Sequence, residues 1–97
     1  MTLAINFINT ERNEAIESFI KSLVTKTFSD TTSINDIIVN LQTQNDPRVP
    51  WKCTIHIFGI HKNVKAEASA SNYLTAFSQA LKRAERQYLR SSLGISG

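Results

Sequence analysis

Hydrophobic and polar positions alternate in four places along the chain and recur at helical spacing in two. Leu3, Ile5 and Phe7 alternate with Ala4 and Asn6, the period-two pattern of a strand with one buried face. Asn9 and Thr10 then offer N-cap oxygens, and Glu11 and Glu14 follow where a helix dipole favours acids. From there Ala15, Ile16, Phe19, Ile20, Leu23, Val24 and Phe28 form one apolar stripe, which predicts a helix running to about Phe28. The polar stretch from Ser29 to Asn35 reads as a connection. A second strand is expected where Ile37, Val39 and Leu41 alternate with Ile38, Asn40 and Gln42.

Asn45, Asp46, Pro47 and Pro50 mark a loop, because proline lacks a donor and disfavours helix before it. The third strand has the clearest pattern: Trp51, Cys53, Ile55 and Ile57 share one face, and Lys52, Thr54, His56 and Phe58 the other. Gly59 and the polar His61, Lys62 and Asn63 make a tight connection to a fourth strand, where Val64, Ala66 and Ala68 oppose Lys65, Glu67 and Ser69. After Ser71 and Asn72, both good N-cap types, Leu74, Phe77, Leu81, Ala84 and Tyr88 step by three and four along a second helix that should end near Ser91 to Gly94.

The predicted order is β-α-β-β-β-α, an α+β two-layer sandwich of the double-stranded-RNA-binding type. Two helices cover one face of a mostly antiparallel four-stranded sheet and leave the other partly open. A length of 97 residues with 41% hydrophobic content suits one domain, expected over residues 1–92 with a short tail at 93–97. Met1 to Ile8 has no basic leader and is too short for a signal core. No apolar run approaches the ~20 residues of a spanning helix, so no membrane partner is expected. A single cysteine cannot form an intramolecular bridge, and an unpaired thiol favours the reducing cytoplasm.

Charge changes the picture. Residues 1–47 carry three basic and six acidic side chains, whereas residues 48–97 carry eight basic and two acidic ones. The excess raises the expectation of a polyanionic partner. On the second helix Lys82, Arg86 and Arg90 are spaced by four with Arg83 between them, an array able to meet successive phosphates; a solvated helix end with favourable dipole charges is the plainer reading. On the open sheet face Lys52, Thr54, His56, Phe58 and Lys65 combine basic groups with an aromatic ring. An exposed ring there could stack on bases, but packing of Phe58 beneath the neighbouring loop is the preferred expectation.

Cys53, His56 and His61 are metal-ligating types, yet Cys53 and His56 stand three apart on a strand and point to opposite faces. No fourth ligand has a recognisable spacing, so no metal or cofactor is expected and Cys53 is assigned to the core. The chain has no nucleophile elbow, phosphate-binding glycine loop or paired-carboxylate motif, which argues against an enzyme and against a small-molecule substrate.

Several segments together resemble the short ribosome hibernation-promoting factors and the related ribosome-associated translation inhibitors, sigma-modulation-protein-like proteins. Asn13-Glu14-Ala15-Ile16-Glu17-Ser18-Phe19-Ile20 is similar to the family's acidic-Ala-Leu/Ile-x-x-Phe-Val pattern. Thr54-Ile55-His56-Ile57 before Gly59 resembles its Thr-Leu-His-Val-like strand. Val64 to Glu67, Asn72-Tyr73 and Arg86-Gln87 fall where the family has its last strand, its Asp-Met-Tyr helix start and its Arg-Gln pair. The isolated domain is expected to be a monomer, and the resemblance implies that it lies in the channel of the small ribosomal subunit, over the messenger and transfer RNA sites. Lys26, Lys82, Arg83, Arg86 and Arg90 would then meet ribosomal RNA from the helices, with Lys52 and Lys65 as further candidates from the sheet. The alternative is an adaptor whose basic helix meets an acidic protein.

Overall fold

Two residues break the strict alternation of the chain and set where its elements begin. Asn9 adopts a left-handed backbone (φ 57°), a conformation that asparagine tolerates better than most residues. It turns the chain out of β1 (Thr2–Ile8), so it does not cap the helix as its position suggested. The N-cap is Asn13, whose Oδ1 accepts from the Ile16 N–H at 3.1 Å, and α1 spans Glu14–Thr27. The second break is a bulge between Ile34 and Asp36. It lets Ile34 and Ile37, an odd number of residues apart, both face the core, so β2 spans Ile34–Thr43 and begins three residues earlier than alternation indicates.

The computed structural model describes residues 1–93, with side chains through Leu89. β3 (Trp51–Gly59), β4 (Asn63–Ala70) and α2 (Tyr73–Leu93) complete the expected β-α-β-β-β-α order. The last four residues of the expected tail lie outside the described residues. The strands form one sheet in the order β1-β2-β3-β4, with β1 parallel to β2 and the other pairs antiparallel. A parallel pair needs a crossover, and α1 supplies it. α2 packs over β3 and β4 on the same side of the sheet.

The core lies between the helices and one face of the sheet. Ile20, Val24 and Phe28 come from α1; Ile37, Val39 and Leu41 from β2; Cys53, Ile55 and Ile57 from β3; and Phe77, Leu81 and Tyr88 from α2. Ala66, Ala68 and Ala70 on β4 oppose Ala76, Ala80 and Ala84 on α2, all buried, and these short side chains admit the helix close to the sheet. Cys53 is buried within this core, as expected.

Three positions in the sequence-derived stripes are corrected: Ala15, in the first turn of α1, is exposed, and so are Phe19 and Leu74. Phe19 is 43% exposed, at the rim, and meets Phe77 edge to face at 6.5 Å. Leu74 is 44% exposed, because the alanines at 76 and 80, which carry little hydrophobic signal, centre the buried stripe away from it. Tyr88 ties two connections to α2: its hydroxyl shares a hydrogen bond at 2.7 Å with the Ser33 hydroxyl, just before β2, and from the β3–β4 turn the Lys62 ammonium donates to the Tyr88 carbonyl and stands 4.6 Å from its ring centroid. A Cβ at Gly59 would run into the Tyr88 hydroxyl and lie 3.0 Å from the Lys62 carbonyl oxygen, so this close approach requires glycine.

Candidate nucleic-acid interface

An α-helix turns about 100° per residue, so positions 82, 83, 86 and 90 fall within an arc of roughly a quarter-turn. The buried residues of α2 occupy the opposite side of the helix. Lys82, Arg83 and Arg86 are accordingly exposed together on one flank. Arg90 follows one turn later in α2, and its side chain lies outside the described residues. Arg83 is the member nearest the sheet, and its Nη1 donates to the Glu67 carbonyl at 2.7 Å, on the outer strand β4. One Arg83 nitrogen is therefore held by the protein, while Lys82 and Arg86 make no ion pair among the described residues.

The remaining candidate cations are distributed elsewhere. Lys26 is exposed in the last turn of α1, where the partial negative end of the helix favours it. Lys52 and Lys65 stand on the open face of the sheet, opposite to both helices. Lys52 pairs there with Glu67 at 3.2 Å across the β3–β4 ladder, which neutralises part of its charge locally, whereas Lys65 makes no ion pair among the described residues. The six candidates whose side chains are described therefore do not form one patch: Lys82, Arg83 and Arg86 are brought together, Lys26 ends the neighbouring helix, and Lys52 and Lys65 face away. Arg12, just before the N-cap of α1, is committed to Glu17 by two hydrogen bonds of 2.7 Å, and these hold the Glu17 carboxyl below its usual range.

The open face also contains a feature that alternation did not show. Phe58, expected beneath the β3–β4 loop, is half-buried and makes its described contacts on the sheet face. Its ring lies parallel to that of His56, with centroids 6.1 Å apart and planes 8° from parallel. Phe58 also forms one wall of a shallow cavity of about 310 Å³ with Thr2, Ala4, Asp36 and Ile38. The signal was divided among three strands, and only their register aligns it: Thr2, Asp36 and Phe58 form one cross-strand row, and Ala4, Ile38 and His56 the next. Among the described residues no cluster of three or more His, Cys, Asp or Glu could hold a metal ion.

A two-layer β-α-β-β-β-α domain with a basic flank on its last helix is the class of protein that the fold and the site define. The chain belongs to the family of Sigma 54 modulation proteins and S30EA ribosomal proteins, whose model matches residues 3–92. Membership makes it a ribosome-associated modulation protein, in a family not known as a class of enzymes, and implies a cytoplasmic location. Separately, no helix among the described residues is long and apolar enough to cross a membrane.

Solved structures share the fold. The N-terminal domain of Protein Y from Thermus thermophilus superposes with a TM-score of 0.76 at 17% identity, covering 90% of this chain and 94% of that one. A ribosomal subunit interface protein from Coxiella burnetii superposes with a TM-score of 0.77 at 10% identity, covering 96% and 99%. No curated protein matches the chain in sequence.

Proposed function

We propose that this domain is a non-enzymatic translation inhibitor. It binds the small ribosomal subunit under stress or in stationary phase and occupies the channel used by messenger and transfer RNA. The observation that carries the reading is the α2 flank, where Lys82, Arg83 and Arg86 project from the side of the helix opposite its buried stripe. Cations held in this way can meet successive phosphates of folded RNA, positioning the domain by shape and backbone without a base code. Family membership and a subunit interface protein among its structural neighbours support the ribosome as the partner.

Binding of purified small subunits across a salt series tests the reading. Removing a cation that neutralises one phosphate lowers the slope of log affinity against log salt by roughly 0.7 to 0.9, so Lys82→Ala with Arg86→Ala should flatten it by about 1.4 to 1.8. An unchanged affinity and slope in the folded double variant would remove α2 as the RNA face. Binding to an acidic protein without binding to subunits would favour the adaptor instead.

A further inference from the structure

We propose that the open sheet face binds one unpaired RNA base, guanine, in the slot between β1 and β3. This deepens the RNA-binding reading above and rests on it. The slot crosses β2, with Ala4 on one side, Phe58 on the other and Ile38 and Asp36 between them. Its lining is mainly apolar and a ring forms one wall, which suits a flat heterocycle withdrawn from water.

Asp36 decides which base. It is exposed, and its carboxylate makes no hydrogen bond or ion pair among the described residues. An ionised carboxylate only accepts hydrogen bonds, through two oxygens side by side. Guanine presents two adjacent donors on its Watson–Crick edge, N1–H and the N2 amino group. Adenine and cytosine place a ring acceptor beside their single amino group, and uracil flanks N3–H with two carbonyls, so each of these sets a lone pair against the carboxylate. The same carboxylate repels an anionic lipid surface. Lys65, cross-strand from His56 and in no ion pair among the described residues, supplies a cation beside the slot for a flanking phosphate.

The test uses the full chain and two fluorescent pentanucleotides, UUGUU and UUAUU, with binding followed by anisotropy at low salt. Wild type should prefer UUGUU by about tenfold, the discrimination of one good bidentate pair. Asp36→Asn should bring the two within about twofold, and Phe58→Ala should weaken UUGUU by about fivefold or more because the base no longer has a ring to stack on. If Phe58→Ala loses its folded circular dichroism spectrum, Phe58→Leu keeps the bulk without the aromatic face. Equal or undetectable binding of the two RNAs by wild type, a preference that survives Asp36→Asn, or indifference to removal of the Phe58 ring would each overturn the proposal and leave this face to a protein partner. Wild-type binding to small subunits is measured alongside. Absence of that binding with the UUGUU preference intact removes the ribosome reading and keeps the slot; the reverse removes the slot alone.

Discussion

At the residue scale, Phe77 and Phe19 touch but differ in what they stabilise. Phe77 is fully buried between α2 and the sheet, so Phe77→Ala should cost ~3 to 5 kcal/mol in a denaturant titration. Phe19 keeps much of its ring in water, and Phe19→Ala should cost less than half as much. A destabilisation at Phe19 equal to that at Phe77 would place both in one core. Cys53 offers a second check. Burial pushes its thiol up to about 12, which disfavours the reactive thiolate, so native protein should react slowly with thiol reagents at pH 8 and readily once unfolded. The linkage has a definite sign. The folded chain holds this proton more tightly than the unfolded chain, so its contribution is complete below the ordinary thiol value of about 9 and is lost as pH rises from there towards about 12. The decline approaches about 1.4 kcal/mol per pH unit. The stability advantage of wild type over Cys53→Ala should therefore shrink between pH 8 and 10.5. A constant difference would show that the thiol is not desolvated.

At the element scale, the helix starts explain why periodicity located the helices better than their ends. Asn9, Thr10 and Asn13 are all acceptable N-cap types, and nothing local ranks them. The left-handed turn at Asn9 and the Arg12–Glu17 pair settle the choice for Asn13. Asn13→Ala should cost ~1 kcal/mol and Thr10→Ala much less, as read from thermal melts. Equal effects would place the cap elsewhere. Ile34 shows the same limit in a strand, because a bulge is a property of two paired strands and leaves no mark in the periodicity of one. In α2 the large residues Phe77, Leu81 and Tyr88 were legible, whereas Ala76 and Ala80 matter through the close approach they allow, and a hydrophobicity pattern gives that little weight.

At the scale of the whole molecule, the sheet separates two surfaces: the cationic flank of α2 on the helix side and the aromatic slot on the open side. They depend on different physics, so their perturbations should separate as well. Lys82→Ala with Arg86→Ala should flatten the salt dependence of subunit binding and move the melting temperature by no more than a degree or two, because exposed helix charges contribute only tenths of a kcal/mol. Phe58→Ala should weaken binding at every salt concentration with the slope unchanged, since stacking releases no counterions. A slope that changes with Phe58→Ala would mean that the two faces are coupled. The sequence by itself determined the element order, the buried face of each strand, the basic flank of α2 and the burial of Cys53. These follow from local periodicity and residue chemistry, which need no partner strand. Only the tertiary structure decided that Arg83 is held to β4, that Lys52 is paired with Glu67, that Lys52 and Lys65 face away from the helices, and that Asp36, Ile38 and Phe58 meet in one slot. Each of these depends on register between segments far apart in the chain, and register is set by packing.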